Sequence, residues 1–214
     1  MMTSTMIFTL CALGGYILGS IPFGLVLTKM AGLGDLRKIG SGNIGATNVL
    51  RTGRKDLALL TVLLDAFKAG IAAFVASKIV APEPFVFIGL ETNTSVMASL
   101  IAGFMGIIGH NFPIWLKFKG GKGVASAFGF ILFTNPTLAL AALFIWLFMA
   151  FAFKYSSLSA LTAAALVPFL AYFMNEPVYS FFYTCTALLV IVRHHANISR
   201  LIKGEESKIK LKKS

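Results

Sequence analysis

Charge is scarce in this chain, and negative charge is scarcest. Only 13% of the 214 residues are charged, with eight Asp and Glu against 19 Lys and Arg. A soluble domain usually carries about 25%. With 57% hydrophobic residues and a mean hydropathy of +0.83, the chain needs lipid as solvent. Its apolar runs are continuous rather than alternating, which excludes a β-barrel and leaves membrane-spanning helices. Cysteine is nearly missing. Cys11 and Cys185 both lie inside apolar runs, so neither a disulfide nor a metal site follows. The first basic residue is Lys29, so the charged n-region of a cleavable signal peptide is lacking and none is expected. Nucleophile machinery is lacking too. No His is followed four residues later by Asp (Ile114 holds that place after His110), and there is no Gly-x-Ser-x-Gly elbow. His194-His195 has no carboxylate or Cys at ligand spacing, so no metal or other cofactor is expected.

What is present reads as seven spans, at residues 6–28, 57–80, 96–109, 124–134, 137–153, 158–174 and 178–192. The expectation is an all-α integral membrane protein, with one domain over 1–206 and a basic tail over 207–214. Gly19-Ser20-Ile21-Pro22-Phe23-Gly24 should kink the first span or let it pack closely. Lys and Arg gather in 29–55, 110–122, at Lys154 and in 193–214. The loops of the other face hold Glu83, Glu91 and Glu176 instead. The positive-inside rule then places the N-terminus outside and the C-terminus in the cytoplasm. The net charge of +11 is accounted for by orientation and anionic-lipid contact, not nucleic acid. Asp65 and Lys68 stand three apart inside the second span, on one helix face. They are either a structural pair or part of a site.

Three polar segments fall on the cytoplasmic face. The first, Gly40-Ser41-Gly42-Asn43-Ile44-Gly45-Ala46-Thr47-Asn48-Val49-Leu50-Arg51, has glycines that let amides form an anion-holding nest. Around them stand neutral donors at Ser41, Asn43, Thr47 and Asn48, and the forked cation of Arg51. Gly40, Gly42 and Gly45 match a dinucleotide fingerprint with Asp65 twenty residues on, but the acid sits in a span and no strand precedes the glycines. The second runs from His110 to Lys119-Gly120-Gly121-Lys122-Gly123 and leads into a helix, a ready anion site but not a Walker loop. Phe112 and Trp115 fit interfacial anchors better than ligand stackers. The third offers His194, Asn197 and Arg200 at spacings of three, on one face if the last span continues into the cytoplasm; His195 points elsewhere, to solvent. Anion-binding groups are plentiful and a strong general base is not apparent. That pattern suits group transfer from a donor with a good leaving group. An anion transporter using Asp65 and Lys68, and a basic scaffold for acidic partners, are the competing classes. The first lacks an inverted repeat, and the second leaves the glycines unexplained.

These segments closely resemble the bacterial acyl-phosphate:glycerol-3-phosphate acyltransferases, the PlsY family. The matching runs are 40–48 with Arg51, Gly-His-Asn-Phe-Pro at 109–113 with Lys-Gly-Gly-Lys-Gly-Val-Ala-Ser at 119–126, and Arg-His-x-x-Asn-Ile-x-Arg-Leu at 193–201 with Gly204 and Glu206. The resemblance implies a seven-helix enzyme of the bacterial inner membrane. It would move a fatty acyl group from acyl phosphate to the 1-hydroxyl of glycerol 3-phosphate, giving lysophosphatidic acid and phosphate in phospholipid synthesis. It implies catalytic roles for Ser41, Arg51, Lys122, His194 and Asn197. It implies substrate contacts for Gly42, Asn43, Gly45, Thr47, Asn48, His110, Lys119, Gly120, Gly121, Gly123, Ser126, Arg200 and Glu206. The partners implied are the two substrates, membrane lipid and the soluble enzyme that makes acyl phosphate.

Overall fold

The computed structural model describes residues 3–209 and is helical almost throughout. Lys210, Lys212 and Lys213 of the expected tail lie outside the described residues. The chain divides into two compact units, Met1–Thr134 and Asn135–Ser214. Among the described residues, five segments are long and apolar enough to cross a membrane: Ser4–Met30, Lys55–Ile79, Thr94–Leu116, Pro136–Phe153 and Ser156–Phe173. Val124–Thr134 and Pro177–Arg193 are shorter apolar helices. All seven apolar segments read from the sequence are thus helical, in an all-α membrane protein of several spans. The 11 residues of Val124–Thr134 rise only about 16 Å, roughly half the hydrocarbon thickness.

In the first unit, α1 (Ser4–Gly19) is capped by the Thr3 hydroxyl and stops at Ser20-Ile21-Pro22, where α2 (Phe23–Met30) begins. Pro22 has no N–H to give an earlier carbonyl, so the first apolar run breaks here. A short α3 (Ala46–Val49) leads to the 25-residue α4 (Lys55–Ile79), then α5 (Thr94–Asn111) and α6 (Val124–Thr134). Helices in lipid gain little from hiding apolar surface against each other, so close backbone packing must hold them. The α1–α5 seam is built that way: a Cβ on Gly15 would strike the Ala102 carbonyl, and one on Gly19 the Gly106 carbonyl. Gly129 of α6 presses likewise on the Ala66 carbonyl of α4. Between α4 and α5 the chain forms a hairpin the sequence reading left as a loop, with β1 (Pro84–Phe87) antiparallel to β2 (Leu90–Asn93). Its two-residue turn, Ile88-Gly89, has φ of 51° and 78°, the positive-φ pair of a type I′ turn.

In the second unit, α7 (Pro136–Phe153) starts under an Asn135 cap whose Oδ1 accepts from the Leu138 amide at 3.1 Å. It packs on α8 (Ser156–Phe173), which packs on α9 (Pro177–Arg193). The outward face of α7 carries exposed Phe144, Phe148 and Phe151, which only lipid can solvate well. The last span does not run on as one helix. It ends at His194, and a separate α10 spans His195–Ile202.

Glycines at a helix seam and away from one should differ in their tolerance of a side chain. Gly129→Val should lower the thermal midpoint of the protein in detergent, since overpacking costs about 1–3 kcal/mol. Gly14→Val, where nothing lies within 4 Å of an added Cβ, should leave it close to wild type. Equal midpoints would contradict the backbone-contact account.

Candidate active site

The 40–51 loop is organised from within by Asn48. Its side chain is 1% exposed, and Nδ2 donates among the carbonyls of Leu36, Ile39 and Asn43 at 2.8–2.9 Å. Its Oδ1 accepts from the Ser41 amide at 3.3 Å and faces Arg51 Nη1 at 3.4 Å. Expected as a ligand donor, Asn48 has its amide turned onto the loop's own backbone. Gly40 and Gly42 have φ of 53° and 69°, the left-handed turn that suits glycine. An added Cβ on Gly40 would collide with the Arg51 guanidinium, so the missing side chain is what lets Arg51 fold back over the loop. Asn43 Oδ1 accepts from the Gly45 amide at 3.1 Å. Ser41, Gly42, Thr47 and Arg51 are exposed.

The cations of this region are not equivalent. Arg37 is hydrogen-bonded to Asp35, with Nη2 2.6 Å from Oδ2, and holds that carboxyl down at about 2. Arg54 does the same to Asp56, also at about 2. Both arginines thus have neighbouring carboxylates as counter-ions. Arg51 has no carboxylate partner among the described residues, so its charge is the one of the three arginines open to an external anion.

The second segment is docked on the end of α5. The Gly120 amide donates to the Asn111 carbonyl at 3.1 Å and the Gly121 amide to the His110 carbonyl at 3.0 Å. These two glycines therefore do not offer their N–H groups to a ligand, as a nest would. They are glycines because of close approach: a Cβ on Gly121 would run into the His110 ring, and one on Gly120 into the His110 carbonyl. Lys117 and Phe118 just before them hold left-handed φ of 51° and 63°, a conformation that costs a non-glycine residue energy. Lys119 is exposed, Lys122 half-buried, and Gly123 turns the chain into α6 at φ 83°. His110 is 5% exposed, with Nδ1 3.6 Å from Asp65 Oδ1. Ser126, expected to touch substrate, is fully buried and donates to the Asp65 carbonyl at 2.8 Å, tying α6 to α4. Asn111 was passed over in the sequence, although it adjoins His110 in the same run. It is fully buried, and its amide lies against Gly123. Trp115, read as an anchor, is largely exposed and donates from Nε1 to Ser20 Oγ at 2.8 Å.

The third segment lies in the second unit. His194 caps α9 and is buried, with Nδ1 2.7 Å from the Val190 carbonyl. A carbonyl only accepts, so Nδ1 carries a proton and donates it to Val190. Asn197 and Arg200 do come together, around a carboxylate. Glu206 Oε1 accepts from Ser157 Oγ at 2.7 Å and Asn197 Nδ2 at 2.6 Å, and Oε2 accepts from Arg200 Nε at 2.7 Å. Burial would raise the Glu206 carboxyl, but these three donors outweigh it and hold it below its ordinary 4.5. Glu206, expected to contact substrate, thus clasps the chain after α10 to the start of α8. His195 is exposed, as expected.

The clasp sets a pH test. A depressed carboxyl stabilises the fold above its unfolded pKa and loses that contribution as pH falls through the lower folded value. Glu206→Gln should cost about 1–3 kcal/mol at pH 7, since a lost bond to a charged group costs that much. It should also lower the thermal midpoint less at pH 4 than at pH 7. A variant with the wild-type midpoint at pH 7 would contradict the clasp.

Comparison with known proteins meets this geometry. Residues 9–204 match the family model described as glycerol-3-phosphate acyltransferase. The glycerol-3-phosphate acyltransferase of Rhodospirillum rubrum is 55% identical over 97% of this chain and 94% of its own length. That of Maricaulis maris is 53% identical over 100% of this chain and 92% of its own. Among solved structures, PlsY (YgiH), an integral membrane glycerol 3-phosphate acyltransferase in its glycerol 3-phosphate form, superposes with a TM-score of 0.83. It is 34% identical and covers 95% of this chain and 96% of its own. The lysophosphatidic acid form of that enzyme gives 0.82 at 33% identity, covering 95% of each chain. The chain belongs to the glycerol-3-phosphate acyltransferase family.

Proposed function

We propose that this protein transfers a fatty acyl group from acyl phosphate to the 1-hydroxyl of glycerol 3-phosphate, releasing phosphate and lysophosphatidic acid. We place it in the inner membrane of a bacterium, N-terminus outside and C-terminus in the cytoplasm, the side that the basic segments favour. Membership of the acyltransferase family supports the activity. The two solved relatives, one in a glycerol 3-phosphate form and one in a lysophosphatidic acid form, support the acceptor and the product. The observation that carries the site is Arg51, folded over Gly40 with no carboxylate partner among the described residues, while Arg37 and Arg54 beside it have one.

In this reading Ser41, Asn43, Thr47 and Arg51 hold one substrate phosphate, and Lys119 and Lys122 with the first amides of α6 supply a second anion site. Asn48, Gly120 and Gly121 shape the loops instead of touching substrate. His194, Asn197 and Arg200 orient glycerol 3-phosphate. The glycerol 1-oxygen attacks the acyl carbonyl carbon, a C–O ester bond forms, and the bond to phosphate breaks with its electron pair leaving on phosphate. An acyl phosphate is a mixed anhydride, so the leaving group is already good. The enzyme's share is positioning and charge stabilisation. The hydroxyl proton passes to an oxygen of the departing phosphate, and His194 Nε2, the ring nitrogen not turned to the Val190 carbonyl, is the rival acceptor. The basic segments also suit contact with the soluble enzyme that produces acyl phosphate.

Arg51→Ala should lower kcat/KM at least about 100-fold, the equivalent of about 3 kcal/mol of lost charge-assisted bonding, with the yield of folded protein unchanged. Arg37→Ala, which removes an arginine engaged by Asp35, should stay near wild type. Normal turnover in Arg51→Ala would remove the cradle from the account. His194→Gln separates the two proton acceptors: substantial turnover with a flattened pH profile assigns the proton to phosphate, and loss of turnover assigns it to His194.

A further inference from the structure

Asp65 and Lys68 hold opposite charges 2.8 Å apart inside α4, with side chains 4% and 1% exposed. Charges sealed inside a membrane protein are costly, and apolar residues of similar volume often serve packing as well. The partners of the pair indicate what it does instead. Lys68 Nζ also donates to the Ile21 carbonyl at 2.8 Å, at the break between α1 and α2 beside Pro22, and it lies 5.7 Å from the Phe23 ring centroid. Asp65 Oδ1 faces His110 Nδ1 at 3.6 Å. The same His110 carries the glycine loop twice: its ring lies where a Cβ on Gly121 would sit, and its carbonyl receives the Gly121 amide. A continuous set of contacts therefore runs from the break in the first span, through Lys68, Asp65 and His110, to Gly121, the residue before Lys122.

We infer that Asp65 and Lys68 are positioning residues for acyl transfer: the pair fixes the His110 ring, and the ring fixes the Lys119–Gly123 loop that presents Lys122. The inference rests on the reading that this loop engages a substrate phosphate. Neither side chain touches substrate. The pair's carboxylate sets where the imidazole lies, and the imidazole sets how closely the loop packs on α5. A loop displaced by an ångström would misplace the Lys122 charge, and misplacement of that size is felt in binding and turnover.

The test uses the full-length protein in lipid nanodiscs. Asp65→Leu combined with Lys68→Met removes both charges together and leaves no lone buried charge. Asp65→Asn combined with Lys68→Gln, closer in shape to the native pair and again without a lone buried charge, is the second variant. Both should keep a near-wild-type thermal midpoint. Hydrogen exchange in a peptide covering 117–123 should become about tenfold faster, with protection in α7–α9 unchanged. KM for the substrate whose phosphate the loop holds, acyl phosphate or glycerol 3-phosphate, should rise about tenfold. Wild-type loop exchange together with wild-type KM in both variants overturns the inference. A pair that only stabilises the fold would lower the midpoint and the amount of active enzyme at unchanged KM, which also overturns it. The exchange reading is independent of turnover. If the wild-type protein transfers no acyl group, or if Lys122→Ala leaves KM unchanged, the proposed function or its loop assignment fails while the exchange still decides whether the pair positions the loop.

Discussion

Charges away from water need partners within the protein, and in the first unit the Asp65–Lys68 pair meets that need. Lys68 satisfies itself on Asp65 and on the Ile21 carbonyl. Asp65 in turn faces His110, and its backbone carbonyl receives the Ser126 hydroxyl. One ion pair on α4 thereby reaches the first-span break, the end of α5 and the start of α6. The helices meeting there can approach because glycines at 15, 19 and 129 leave room for the opposite backbone. Backbone proximity supplies dispersion and short polar contacts, the forces available between helices when lipid removes the hydrophobic drive.

The same logic separates residues that shape the site from residues that can meet a ligand. Asn48, Ser126 and Glu206 are buried or nearly so, with hydrogen-bonding groups directed at the protein itself. Ser41, Thr47, Arg51 and Lys119 are exposed. A family run of small polar residues thus mixes two roles. The Asn48 amide and the Glu206 carboxylate hold the protein's own segments together, whereas the exposed cations and hydroxyl groups of the 40–51 loop are the ones we propose meet substrate. Replacing the first kind should cost folded protein, and replacing the second should cost turnover.

Much of this was legible in the sequence. Continuous apolar runs and few charges give helical spans because lipid permits little else, and the seven segments stand where hydropathy puts them. The Asp65–Lys68 spacing already placed both on one helix face. Other features needed long-range contacts. Nothing in the sequence near His110 points to Asp65, 45 residues earlier. The hairpin at 84–93 was hidden because its turn is Ile88-Gly89 rather than Asn-Gly, and its strands are four residues long. The break at His194 was hidden because no Gly or Pro marks it. For the glycines at 120 and 121 the sequence suggested an anion site at a helix start. Only the packing shows that their amides go to α5 and that their value is the absence of a side chain.

The central claim is acyl transfer from a phosphate-activated donor to glycerol 3-phosphate. The most direct measurement supplies purified protein in nanodiscs with acyl phosphate and glycerol 3-phosphate, and follows phosphate release alongside mass-spectrometric identification of the lipid product. Phosphate and 1-acyl lysophosphatidic acid should appear in equal amounts, both dependent on glycerol 3-phosphate. Absence of both products, with phosphate flux across liposomes carrying the same protein, would contradict the claim and make the chain an anion transporter.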